Sequence, residues 1–190
     1  MVFPYRYLIP ALWLGWVACW CAMSLRVKPT LRQESPGSRL MHMVPLALSV
    51  WLLWQPGRMW PWLGMRILPR SAVLFWTSVA LTLAGLLFCV WARVYLGRNW
   101  SGTVTLKEDH ELVTGGPYRL VRHPIYTGLL LAVVGSAAAR GNLAAAAAIV
   151  LTAAALWRKL RMEESWMREQ FGAHYQSYSR RVAALIPFVL

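Results

Sequence analysis

Acidic residues are the scarcest class that this chain could be expected to carry. Seven Asp and Glu stand against twenty Lys and Arg, giving a formal net charge of +13 over 190 residues. Charge of either sign is itself thin at 14%, while 58% of residues are apolar and tryptophan occurs twelve times. A soluble domain of this length has too little interior to hide that much apolar surface, which excludes an ordinary water-soluble fold. Cysteine is also sparse. Cys19, Cys21 and Cys89 lie in apolar stretches, with neither an even framework nor metal-ligand spacing, so they read as packing residues. No metal site is expected, because His110 and His123 have no third ligand at a workable spacing. P-loop, soluble dinucleotide and Ser-His-Asp patterns are missing as well.

What remains is hydrophobic length. Apolar runs fall at 7–25, 40–54, 72–96, 125–139 and 143–160. A span needs about 20 apolar residues, so the first and third are comfortable, whereas the second and fourth need tilting, re-entry or extension. The pattern predicts an all-α polytopic integral membrane protein of about five transmembrane helices. The first run is long for a cleavable signal, and the basic loop that follows reads as a stop. With five spans, one face receives fourteen Lys and Arg, from 26–39, 97–123 and the tail from Arg158 onward, and the other receives Arg6, Arg58, Arg66, Arg70 and Arg140. That asymmetry predicts a cytoplasmic C-terminus and an outside N-terminus, in the inner membrane of a bacterium or the endoplasmic reticulum of a eukaryote. The basic excess is thereby assigned to topology and membrane lipids, and no nucleic-acid partner is expected.

Texture divides the chain in two. Residues 1–96 are Trp- and Leu-rich spans with short Pro/Arg loops and no polar cluster suited to chemistry; they read as scaffold and acceptor access. The tryptophans read as interfacial belts. Residues 97–190 carry a long loop in which "SGTVTL" suits a short extended piece and "VTGGPY" a turn. A hairpin rich in small residues follows, connected at Gly141-Asn142, and its helices are expected to pack closely. The tail from Leu156 reads as a helix leaving the membrane, with Leu156, Leu160, Met167 and Phe171 on one stripe and Glu163 and Glu164 flanking it. Carboxylates bordering a buried stripe need partners. If the hairpin brings its two cytoplasmic ends together, the long loop and the tail helix enclose a cytoplasmic pocket. Tyr118, Arg119, Arg122, His123, Tyr126, Lys159, Arg161, Glu163 and Glu164 would line it, together with His110 and Glu111.

Two blocks carry this further. "HELVTGGPYRLVRHPIYTG" is followed some forty residues later by "RMEESWMREQFGAHYQSYSRRVAALIP". Together, over about residues 95–187, they closely resemble the isoprenylcysteine carboxyl methyltransferase family, and phospholipid N-methyltransferases share the general pattern. The resemblance implies S-adenosyl-L-methionine as cofactor, held at the cytoplasmic face by His110, Glu111, Leu112, Val113, Tyr118, His123, Pro124, Ile125, Tyr126 and Glu163, with Glu164 and Arg122 as further contacts. It implies methyl transfer to a lipophilic small-molecule or lipidated acceptor, in the first instance a prenylcysteine-like carboxylate. Where the family carries a substrate-contacting arginine this chain has Lys159, which keeps the charge and loses the bidentate fork; Arg161 is the other cation in reach.

Methyl transfer is a displacement at carbon, so in-line placement of donor and acceptor is its main requirement. A carboxylate acceptor is already ionised and needs only a cation to orient it. An amine acceptor, as in phospholipid or amine N-methylation, needs a base, for which His110, Glu163 and Glu164 are the candidates. Membrane sterol and steroid reductases, which bind NADPH, share a related His-Pro-x-Tyr and Phe-Gly pattern. The Leu-Val-Thr-Gly-Gly-Pro-Tyr lead-in and the Glu-Glu pair fit the methyltransferases better. A non-enzymatic membrane scaffold is the remaining reading.

Overall fold

The computed structural model describes residues 7–24, 30–54, 60–97, 100, 105–107 and 112–187. Five helices dominate: α1 (Leu8–Ser24), α2 (Pro36–Trp54), α3 (Ala72–Leu96), α4 (Pro124–Arg140) and α5 (Leu143–Arg181). Two short strands, β1 (Thr30–Gln33) and β2 (Thr105–Lys107), pair antiparallel and tie the segment before α2 to the segment before α4. The extended piece expected in "SGTVTL" is realised at Thr105–Lys107; residues 101–104 lie outside the described residues.

Local chemistry sets the helix ends. Ser71 caps α3 by accepting a hydrogen bond from the Leu74 amide at 3.0 Å, and Asn142 caps α5 by accepting from the Ala145 amide at 2.9 Å. Pro124 opens α4 at its first turn, where the missing N–H costs nothing. Gly141, at φ 60°, stops α4 in the left-handed region and turns the chain directly into α5. The expected tight connection is therefore two residues long. α5 then continues for 39 residues from the apolar hairpin into the polar tail, with one break at Gly172 (φ 49°).

By length and composition α3 and α5 suffice to cross a membrane, and α1 and α4 are shorter apolar helices. In α5 the apolar part is 143–160, and the carboxylate-bearing tail lies beyond it. The surface is that of a membrane protein. Leu14, Val73, Leu87, Val94 and Val150 stand exposed, while Ser49, Ser78, Thr82, Ser136 and Thr152 are buried. Lipid tolerates the first set; the second forms a polar seam between helices. Thr82 and Ser136 sit 3.4 Å apart across α3 and α4, and the Trp13 indole reaches in from α1 to donate to the Ser136 hydroxyl at 2.9 Å.

The closest helix approach lies between α3 and α4 rather than within the alanine-rich hairpin. A Cβ on Gly128 would meet the Gly85 carbonyl at 2.5 Å and the Cys89 sulfur at 2.6 Å, and one on Gly135 would meet the Thr82 hydroxyl at 2.6 Å. Cys89 is fully buried there and donates to the Ile125 carbonyl at 3.3 Å, the packing role expected of it. This contact fixes the start of α4, and hence His123 and Tyr126, against α3.

The bundle has two distinct ends. At one, the α2–α3 connection meets the α4–α5 turn: Arg66 donates to the Arg140 carbonyl at 2.7 Å, and the Ile67 amide to the Gly141 carbonyl at 2.8 Å. At the other, Arg93 donates to the Met23 and Gly97 carbonyls and stacks on Trp100, joining the ends of α1 and α3. The polar residues of the second half gather at this second end.

Candidate functional site

The loop before α4 enters the site through a 3-10 turn over Gly116–Arg119. Gly116 has φ +54°, and a Cβ there would strike the Tyr95 ring at 2.6 Å, so both backbone angle and space call for glycine. The turn buries Tyr118, whose carbonyl accepts from the Tyr178 hydroxyl at 2.6 Å. Burial pushes the Tyr118 phenol well above its ordinary value and lifts that of Tyr178 to about 12, so both are neutral at any physiological pH.

Arg122 forms a clamp. Its Nε and Nη2 donate to Glu164 Oε1 at 2.8 and 2.5 Å, and its Nη1 donates to the carbonyls of Ser179, at 3.0 Å, and Val182. The Arg122 and His123 amides donate to the Ala183 and Ala184 carbonyls, and the Thr127 hydroxyl to the Leu185 carbonyl at 2.7 Å. The last turn of the chain is thus strapped across the start of α4. Glu164 also accepts from Arg168 at 3.0 Å. Burial would raise its carboxyl, but His123 and the Arg122 guanidinium hold it at about 2. Both side chains are engaged within the protein.

His123 and Glu163 stand beside the clamp. His123 Nδ1 lies 3.5 Å from Glu163 Oε2, and its Nε2 lies 3.4 Å from Glu164 Oε1 without a hydrogen bond of good geometry. The Tyr126 hydroxyl donates to Glu163 Oε1, and its ring stacks on the His123 imidazole at 5.4 Å and 5°. One turn below Glu163 on α5, Lys159 places its ammonium 5.5 Å from the Tyr126 ring centre. Burial opposes charge on both His123 and Glu163. The paired carboxylates nevertheless raise His123 above the ordinary imidazole value, and His123, Lys159 and Tyr126 together hold Glu163 below the usual carboxylate range. A protonated histidine beside two ionised carboxylates is the charge state this geometry favours.

The expected site residues therefore divide. Tyr118, His123, Pro124, Ile125, Tyr126, Lys159, Glu163 and Glu164 come together with Arg122. Leu112 and Val113 are half-buried at the approach to the turn, and Arg161 is exposed on α5. His110 and Glu111 lie outside the described residues.

The first half of the chain contributes more than scaffold. Glu34, just before α2, and His42, in its second turn, are both buried, with His42 Nε2 3.5 Å from Glu34 Oε1. Arg158 on α5 packs on them, donating to the Ser38 carbonyl at 3.0 Å and its hydroxyl at 3.1 Å and lying 3.3 Å from His42 Nδ1. The sequence led to no expectation of this buried cluster: segments remote in sequence meet where α2 crosses α5. A signal was present, because Glu34 is the only acid before residue 108.

Against known proteins, the model of the family described as phospholipid methyltransferase matches residues 73–174, from α3 through most of α5. A probable protein-S-isoprenylcysteine O-methyltransferase of Oryza sativa subsp. indica is 34% identical over 104 residues, 52% of this chain and 53% of its own length. The cobalt-zinc-cadmium resistance protein CzcN of Cupriavidus metallidurans is 33% identical over 114 residues, 59% of this chain and 51% of its own. The chain thus spans about half the length of the curated relatives it matches. A solved structure of the eukaryotic intramembrane Ras methyltransferase isoprenylcysteine carboxyl methyltransferase shares the fold, with a TM-score of 0.62 at 23% identity over 84% of this chain and 55% of that one. The resemblance carried by the two motif blocks is borne out, and the chain belongs to the phospholipid methyltransferase family.

Proposed function

We propose that the protein is an S-adenosylmethionine-dependent methyltransferase that acts at a membrane surface on a lipophilic carboxylate. The supporting observation is the charge state of the cluster. Glu163 and Glu164 are held below the ordinary carboxylate range, which makes them weak proton acceptors, and His123, raised above the ordinary imidazole value, is favoured in its charged form beside them. A constellation of that kind suits an acceptor that is ionised on arrival and needs only to be placed.

The residues fit the cofactor. Glu163, hydrogen-bonded by Tyr126, would hold its amino group or ribose hydroxyls. His110, Glu111, Leu112, Val113, Pro124 and Ile125 complete the binding set that the family resemblance implies, with Gly116 letting the backbone pass close. Bound there, the cofactor supplies an electrophilic methyl group. Lys159, over the Tyr126 ring, orients the acceptor carboxylate; its single point charge leaves the nucleophile less tightly held than a bidentate arginine would. Arg161 is its alternate for that role. Arg122 and Glu164 act as the clamp that holds His123 and Glu163 in register.

All five helices cross the membrane in this reading, with α2 and α4 extended or tilted, the site end facing the cytoplasm and the Arg66–Arg140 end facing outward. The acceptor chain then enters from lipid while its head meets the cofactor at the mouth. Incubation with methyl-labelled S-adenosylmethionine and membrane extract tests the reading. Label released as methanol by alkali identifies an ester; alkali-stable label on lipid transfers the assignment to N-methylation. Stabilisation by NADPH and not by S-adenosylmethionine would replace it with the reductase.

The buried Glu34–His42 pair supports N-methylation as a second reading, because it supplies the carboxylate-backed imidazole that an amine acceptor requires. In that case His42→Gln abolishes alkali-stable labelling while cofactor binding persists.

A further inference from the structure

A large cavity lies toward the opposite end of the bundle from the His123–Glu163 cluster. It occupies about 1040 Å³ between the helices and is walled mainly by apolar side chains, among them Leu53, Phe75 and Val133. That volume lies at the top of the range for small-molecule pockets. Its mouth is cationic: Arg66, Arg70 and Arg140 line it together with Trp54 and Trp76. The described carboxylates, Glu34, Glu163, Glu164 and Glu169, all lie toward the other end. Arg66 and Arg140 each donate to a backbone carbonyl and keep further donors, and Arg70 has no hydrogen bond or ion pair among the described residues.

An apolar chamber with three arginines at its mouth is complementary to one chemical class. We propose that this cavity binds an anionic phospholipid, its phosphate between Arg66, Arg70 and Arg140 and its acyl chains inside. The tryptophans at the mouth suit the headgroup depth of a bilayer. This lipid is not the methyl acceptor. The helix from Leu143 to Glu163 is about 30 Å long at 1.5 Å per residue, which separates the phosphate from the methyl-transfer cluster by the thickness of a bilayer core. The floor of the cavity is nevertheless shared with that cluster, since Leu46, Leu129 and Leu156 both line the cavity and pack around Tyr126 and Leu160. Occupancy therefore supports the residues beneath the site from the far side of the membrane.

The inference goes beyond methyl transfer and is tested without it. The purified full chain is exchanged into nanodiscs of dioleoyl phosphatidylcholine containing labelled dioleoyl phosphatidylglycerol, and retained lipid is read by native mass spectrometry. Phosphatidylglycerol is expected to be retained in preference to phosphatidylcholine. Arg70→Gln, which removes no hydrogen bond among the described residues, reduces the preference about fivefold, the effect of one arginine near an anionic lipid. Ala139→Trp, which fills the cavity from its wall and leaves the arginines in place, abolishes retention of both lipids. Inorganic phosphate alone gives no stabilisation. Equal retention of the two lipids, a preference unaltered in both variants, or displacement of the bound lipid by a farnesylcysteine analogue would each overturn the proposal, the last by giving the cavity to the acceptor. Loss of methyl transfer with the lipid preference intact would sink the functional reading and leave this one standing.

Discussion

Arginine is used in opposite ways at the two ends of the bundle. At the site end, Arg122 has carboxylate and carbonyl partners on Nε, Nη1 and Nη2, and the group it steadies is the neighbouring His123. At the far end, Arg66, Arg70 and Arg140 line a cavity that no carboxylate among the described residues lines. The net charge of +13 treats these residues as one population, yet Arg122 is saturated by buried partners, Arg66 and Arg140 each use one donor on a backbone carbonyl, and Arg70 has no hydrogen bond or ion pair among the described residues.

The sharpest way to break the contrast is to remove one strut and one free cation. Arg122→Ala leaves a buried Glu164 with only His123 and Arg168 beside it and removes the side-chain bonds to the Ser179 and Val182 carbonyls. A loss of about 3 kcal/mol is expected, read as thermal unfolding in detergent. Arg70→Gln is expected to change stability by no more than about 0.5 kcal/mol in the same assay. Equal losses would show that the far-end arginines are structural after all.

Within the site end, the adjacent carboxylates should separate next. Glu163→Gln keeps shape and weakens S-adenosylmethionine binding up to about 100-fold, the upper range for a hydrogen bond to a charged group, with little change in unfolding. Glu164→Gln does the reverse, costing stability through the clamp while leaving cofactor affinity closer to the parent. If both variants lost only affinity, Glu164 would belong to the binding site rather than to the strut.

The seam that transmits position from one end to the other gives a smaller effect. Gly128→Ala places a methyl within 2.6 Å of the Gly85 carbonyl and the Cys89 sulfur, and overpacking of that kind costs about 1–3 kcal/mol. Gly37→Ala, where a Cβ would meet nothing within 4 Å, is the control.

How much of this was legible in the sequence follows from sequence separation. Apolar length gave α3 as 72–96 and the start of α5 at 143, because a span of that kind is a local property. The turn in "GGPY" and the tight Gly141-Asn142 connection were also local, and the structure keeps both. The family blocks put His123, Tyr126 and Glu163 in one set, and the structure brings them within contact of one another. Two features escaped. The Arg122–Glu164 clamp was hidden because a basic residue beside a membrane run has a sufficient topological explanation, and nothing local shows that its donors are taken up by residues 42 to 60 positions away. The Glu34–His42–Arg158 cluster required knowing that α2 crosses α5, a pairing that hydropathy does not encode.

The smallest expected effect is also the most specific to one end. Dependence of stability on pH between about 4 and 9 is expected mainly from the shifted carboxyls and imidazole of the site end. Glu163 and Glu164 have depressed values: their contribution is present above 4.5 and is lost as pH falls through their folded values, about 2 for Glu164. His123 is raised: its contribution is full below 6.5 and is lost as pH climbs through its folded value above that. A plateau between about pH 4.5 and 6.5 should therefore fall away on the alkaline side, with a slope no steeper than one proton, about 1.4 kcal/mol per pH unit. Chemical-denaturant unfolding in detergent at a series of pH values measures it. In His123→Gln the alkaline limb should disappear, and in Arg70→Gln it should be unchanged. A limb that survives in His123→Gln would mean that a group other than His123 carries the titration.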